Sequence, residues 1–180
     1  MILDTAAEKG VRIEGIFNTH GHIDHVGAVS RIRTALGIPF AIHSGEKAVL
    51  DSLPAQARMF GMSSSMTAPV VDQWLDDNAE VPVGNLRGNV LWTPGHTPGG
   101  VCFSFDKIIF AGDTLFSGSV GRTDLPGGDT QQLLSAIKNR LLCLHEDTVV
   151  YCGHGPPTRI STERDHNPFL SSRWQMRGQF

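Results

Sequence analysis

Thr19-His20-Gly21-His22-Ile23-Asp24-His25 lies between an apolar stretch, Val11 to Phe17, and a segment of helical periodicity, Val26 to Leu36. Apolar residues at 11, 13 and 17 predict a strand, and Val29, Ile32 and Leu36 on one face predict a helix closed by Gly37. A polar, His-rich turn between a strand end and a helix start is where α/β folds place their sites. Histidines two residues apart point the same way from an extended loop, and Asp24 and His25 can face a second point nearby. Neutral imidazoles packed this closely are ready-made metal ligands. The bland alternative is a surface histidine cluster without a metal.

Working outward, Ile2 to Lys9 reads as a helix ended by Gly10, Pro39 to His43 as a strand, and Gly45 to Leu53 as a helix. This order predicts an α/β layered fold. Ala57 to Pro69 reads as a mobile surface loop. Beyond it, Val90 to Trp92, Val101 to Phe105, Lys107 to Ala111 and Thr148 to Cys152 read as strands, with a tight turn at Asp106. Asp129 or Thr130 caps a helix carrying Leu133, Leu134, Ile137 and Leu141 on its apolar face.

Four ligands do not complete two metal sites, and three further residues sit at predicted strand ends beside glycine. His96 lies in Thr93-Pro94-Gly95-His96-Thr97-Pro98-Gly99-Gly100, Asp113 in Gly112-Asp113-Thr114, and His154 in Gly153-His154-Gly155. Glycine lets the backbone approach a buried ion. Taken singly, each residue would more often be structural; with the first cluster they form a consistent set. Thr97 and Thr114 either orient His96 and Asp113 or make ordinary turn hydrogen bonds. His43 reads as a helix cap, His145 as exposed, and His166 as a C-terminal packing residue. Cys102, Cys143 and Cys152 read as core or helix-face residues.

The bulk properties narrow the partners. A chain of 180 residues with 40% hydrophobic and 18% charged residues fits one globular domain, 1–180. A net charge of −3 gives no basic field for nucleic acid or an anionic membrane. No apolar run approaches the roughly 18 residues of a membrane span. Three scattered cysteines and no secretory signal predict a cytoplasmic protein.

The succession THGHIDH, PGHTPGG, GDTLF and GHG resembles the metal-binding motifs of the metallo-β-lactamase superfamily across nearly the whole chain. That resemblance implies an αββα sandwich, here apparently without the family's usual N-terminal strands. An uncovered sheet edge would then favour a homodimer. It also implies two divalent ions, zinc first and iron or manganese next. By the same resemblance, His20, His22 and His96 hold one ion, Asp24, His25 and His154 the other, and Asp113 bridges them. A carboxylate at Asp113, and Gly121-Arg122-Thr123-Asp124 following it, look like the small glyoxalase II-like (hydroxyacylglutathione hydrolase-like) enzymes. So does Glu163-Arg164-Asp165-His166-Asn167-Pro168-Phe169-Leu170.

The function so implied is hydrolysis of a small-molecule thioester such as S-lactoylglutathione by a metal-bridging hydroxide. Asp24 serves as proton acceptor and ligand, and Arg122 is a candidate contact for a substrate carboxylate. Two alternatives share the motifs: a mononuclear iron sulfur dioxygenase acting on glutathione persulfide, and a hydrolase with β-lactamase activity.

Overall fold

The computed structural model describes residues 2–62 and 66–171, which form two compact units divided between Leu75 and Asp76.

Unit 1 begins with helix α1, Ile2–Glu8, followed by Gly10 at φ +62°. Strand β1, Ile16–Phe17, runs parallel to β2, Phe40–His43, which runs parallel to β3, Gln73–Leu75. The strand expected over Val11 to Phe17 is thus confined to its last two residues. Its partner begins after Pro39, which has no N–H to extend the ladder, and Ile16 N–H closes the pairing on Pro39 C=O at 2.9 Å. The Val26 to Leu36 helix is instead two, α2 over Ile23–Val26 and α3 over Val29–Leu36, separated at Gly27-Ala28. Glycine's low helix propensity marks the break, while Gly37, left-handed at φ +64°, ends α3 as expected.

A 3₁₀ turn over Ser44–Glu46 leads into α4, Lys47–Asp51, and α5, Leu53–Met59. Helix α5 corrects the loop expected from Ala57 onward. Pro54 stands in its first turn, where proline is favoured, and Leu53 and Ala57, four residues apart, are buried. Ser63 to Ser65 of that expected loop lie outside the described residues. The core of unit 1 joins Ile23, Val26, Val29, Phe40, Ile42, Leu50, Leu53 and Ala57. Asp72 ties α3 to β2: its carboxylate accepts a bidentate pair from Arg33 and the Phe40 N–H at 2.9 Å.

Unit 2 is built on a six-stranded sheet. Its strands are β4, Glu80–Val83, β5, Leu86–Trp92, β6, Val101–Phe105, and β7, Ile108–Gly112. A short hairpin of β8, Leu115–Phe116, and β9, Ser119–Val120, precedes α6, Thr130–Ala136. Strands β10, Val149–Cys152, and β11, Thr158–Arg159, complete the sheet, and α7, Ile160–His166, follows. The sheet order is β11-β10-β7-β6-β5-β4, with only β10 and β7 parallel.

The β4–β5 hairpin turns on Gly84-Asn85, a two-residue hairpin signal; β5 therefore starts four residues before the expected Val90. The expected turn at Asp106 is present, with φ +48°. Asp129 caps α6 by accepting the Gln132 N–H at 2.9 Å, and Leu133, Ile137 and Leu141 are buried. They pack with Cys102, Ile109, Ala111, Leu115, Val150 and Ile160. No described helix is long and apolar enough to cross a membrane.

The Asp72 carboxyl is held down to about 2 from an ordinary 3.8, first by the Arg33 hydrogen bonds and then by the Phe40 N–H. A depressed carboxyl pKa contributes stability that is present above the unfolded value and lost as pH falls through the folded one. Asp72→Asn should therefore lower the urea midpoint at pH 7. Its difference from wild type should shrink between about pH 4 and pH 2. A gap that stays constant over that window would show that the ionised carboxylate contributes nothing.

Candidate metal centre

Unit 1 delivers four of the expected ligands from the loop that leaves β1 and enters α2. The ring centroids of His20 and His22 are 5.0 Å apart, and those of His20 and His25 are 4.0 Å apart. Asp24 Oδ2 stands 3.5 Å from His25 Nε2. His20 is buried, His22 and His25 are half-buried, and Asp24 is exposed.

Three buried or half-buried side chains hold this loop by its backbone. Asn18 Nδ2 donates to His25 C=O at 2.8 Å, Gly21 N–H donates to Glu46 Oε2 at 2.7 Å, and Ile23 N–H donates to Gln56 Oε1 at 3.0 Å. The sequence reading named none of the three. Their only signal was polarity next to apolar core positions, which any surface residue of those segments shares.

Unit 2 brings His96, Asp113 and His154 together. Strands β7 and β10 run parallel side by side and end level with each other, Cys152 pairing with Gly112 across a register shift after Tyr151. Gly153 N–H donates to Gly112 C=O at 2.7 Å, so Asp113 and His154 leave the same edge of the sheet. Asp113 Oδ2 lies 3.5 Å from His154 Nε2 and 3.7 Å from His96 Nε2. These separations are at or beyond the limit of a good hydrogen bond. They match the span between two ligand atoms that each sit about 2.1 Å from one ion.

The His96 loop is pinned on both sides. Thr93 N–H reaches Gly100 C=O at 2.8 Å, and Asp129 N–H at the start of α6 reaches Gly95 C=O at 2.7 Å. A Cβ on Gly95, at φ +132°, would fall 2.2 Å from Leu133 N, so only glycine allows the loop this close to α6. His96 Nδ1 lies 2.7 Å from the Arg122 carbonyl oxygen. A carbonyl can only accept, so Nδ1 carries the proton and Nε2 presents its lone pair, the form a metal ligand needs. That tautomer, like the imidazole and carboxylate donors each unit gathers, fits a divalent ion.

Arg122 thus contributes its backbone to the site. Its guanidinium is bound bidentately by Asp124, both contacts at 2.7 Å, and this pair holds the Asp124 carboxyl at about 2. Thr97 and Thr114 do not orient His96 and Asp113. Thr114 Oγ1 instead lies 3.0 Å from Thr93 Oγ1, which also meets Cys102 Sγ at 3.3 Å. Burial pushes the Cys102 thiol up to about 11.

Among the residues set aside, His43 caps the Ser44–Glu46 turn by accepting the Gly45 N–H, and His145 is exposed. His166 is exposed as well, which corrects its expected packing role. The buried C-terminal residues are Glu163 and Asn167. Glu163 accepts from Thr158 Oγ1, Gly118 N–H and Asn167 Nδ2, and Asn167 Nδ2 also donates to Ser119 C=O. Together they latch the β8–β9 hairpin that follows Asp113.

The metallo-β-lactamase superfamily model matches residues 3–154. The chain is 39% identical over 166 residues to the probable metallo-hydrolase YqgX of Bacillus subtilis, covering 91% of this chain and 79% of that protein. It is 36% identical over 176 residues to the hydroxyacylglutathione hydrolase GloC of Haemophilus influenzae, covering 96% and 82%. Among solved structures, the B3 metallo-β-lactamase BLEG-1 superposes with a TM-score of 0.87 at 39% identity, covering 95% of this chain and 83% of that one. TTHA1623 in a di-iron-bound form gives 0.84 at 37% identity, covering 94% and 83%. The chain belongs to the metallo-β-lactamase superfamily, and its fold is that family's mixed α/β fold, as the motifs implied.

Thr93→Val keeps the side chain's shape but leaves the buried Thr114 hydroxyl without this partner. The variant should lose ~1–3 kcal/mol of stability in urea unfolding. A midpoint equal to wild type would show that the buried hydroxyl pair is energetically idle.

Proposed function

We propose that this chain is a binuclear metallohydrolase that cleaves thioesters of the S-lactoylglutathione type into a carboxylic acid and a thiol. His20, His22 and His96 would hold one divalent ion, Asp24, His25 and His154 the second, and Asp113 would bridge them. The observation that carries the reading is the single Asp113 oxygen standing between two imidazole Nε2 atoms. The family model supports it, because its matched span runs through all seven residues. The likeness to the hydroxyacylglutathione hydrolase supports the choice of substrate. Zinc suits the donors, and iron enters because TTHA1623 carries it.

Bound divalent ions would lower the pKa of a water and polarise the substrate carbonyl. The residues of the chain supply the rest. Asp24, exposed beside His25, accepts the proton that the attacking water gives up. The Arg122 carbonyl keeps His96 in one tautomer, so this imidazole does not have to reorganise during the reaction. The three cysteines are free thiols, which fits a reducing, cytoplasmic setting.

The likeness to BLEG-1 favours β-lactam hydrolysis as a second reading. Metal content, S-lactoylglutathione hydrolysis and nitrocefin hydrolysis measured on one purified sample separate the two. We expect two ions per chain and thioester turnover well above nitrocefin turnover; the reverse ranking assigns the enzyme to β-lactams. Asp113→Ala should lose both ions and at least about a hundredfold in kcat/KM. Full metal content in that variant would remove the bridging role.

A further inference from the structure

Glu46 takes no part in the proposed ligand set, yet it is fully buried directly behind the His20–His25 loop. Its relative exposure is 0%, and its Oε2 accepts the Gly21 N–H at 2.7 Å. Gly21 is the residue between His20 and His22, so this one bond fixes the peptide that joins the two rings. The fit of the loop against Glu46 and its neighbours is close. A Cβ on Gly21 would meet Glu46 Oε2 at 3.0 Å, Leu50 Cδ2 at 3.2 Å and Val49 Cγ1 at 3.3 Å. The bare backbone therefore rests against the carboxylate, and a side chain at position 21 would push Glu46, Leu50 and Val49 back by a few tenths of an ångström. Glu46 itself is held by the 3₁₀ turn that His43 caps through the Gly45 N–H at 3.1 Å. A carboxylate is almost never fully buried without specific partners, and a charge-assisted bond to a backbone amide is among the stronger single restraints available.

We infer that Glu46 is a positioning residue for the ion held by His20 and His22: its buried carboxylate locks the intervening Gly21 amide and so presents both imidazoles ready to bind. This rests on the reading that His20 and His22 are ligands. Glu46 touches neither substrate nor reacting atoms, so its effect is on metal affinity.

The test is zinc affinity, measured by competition with a chromophoric chelator, for wild type, Glu46→Leu and Glu46→Gln, with circular dichroism reporting the fold. Glu46→Leu should weaken zinc binding about 10–100-fold. Glu46→Gln keeps an amide oxygen for Gly21 N–H and should recover a clear part of that loss. Wild-type affinity in Glu46→Leu, or no recovery in Glu46→Gln, overturns the inference. A second measurement needs no variant: in the zinc-free wild-type chain the Gly21 amide should exchange slowly with solvent, and exchange at an open-loop rate also overturns it. A wild-type chain that takes up no zinc sinks the ligand reading and this inference together. A chain that binds zinc, responds to Glu46 as stated and leaves S-lactoylglutathione intact upholds the inference while removing only the thioester assignment.

Discussion

Buried histidines and carboxylates have to be held by something other than water, and both units meet that demand with the same bond. A fully buried glutamate accepts the N–H of a loop glycine: Glu46 from Gly21 in unit 1, Glu163 from Gly118 in unit 2. The first bond sets the loop that carries His20 and His22. The second, with Asn167, sets the hairpin that follows Asp113. Removing Glu46 would leave the buried Gly21 amide without this acceptor, at the cost of its desolvation. The two glycines differ: a Cβ at Gly21 would crowd Glu46, Leu50 and Val49, whereas Gly118 has open space around it and a left-handed φ of +71°.

Strand alignment is the other determinant of the site. Parallel pairing of β7 with β10, and the register shift at Tyr151, bring Asp113 and His154 out at one edge. Bulges are common next to functional sites because they re-aim a side chain at a strand end. Antiparallel β6 then places the His96 loop next to β7, and Gly121 closes the group: a Cβ there would stand 1.8 Å from Asp113 C=O and 3.3 Å from His96 Cβ.

Much of this was legible in the residues themselves. The spacing of His20, His22, Asp24 and His25 marks a candidate metal loop, and the glycine-flanked His96, Asp113 and His154 mark strand ends. Helix α6 is legible from Asp129 and Leu133, whereas Ile137 and Leu141 of the expected apolar face fall in the π-helical turn Ile137–Leu141 that follows it. The misses have physical causes. The loop expected from Ala57 gives way to the end of α5, which Pro54 starts and the buried Leu53 and Ala57 anchor, and the β4–β5 hairpin at Gly84-Asn85 lies in a stretch whose sequence signal is weak. Val11 to Gly15 has strand-like alternation, but Pro39 denies the ladder a donor there. Glu46, Gln56 and Asn18 were invisible because a buried polar anchor has no sequence period. The Arg122 carbonyl beside His96 has no signal in the sequence, because it is an atom every residue possesses.

That use of a carbonyl separates two parts of residue 122, its backbone and its side chain. The bond to His96 depends on where the backbone of residue 122 runs, which Gly121 and the neighbouring turn determine. The side chain at 122, paired with Asp124 at the surface, can be exchanged without changing the tautomer of the imidazole beneath it. A substitution at position 122 thus changes the surface around the candidate site while leaving the backbone that fixes the His96 tautomer in place.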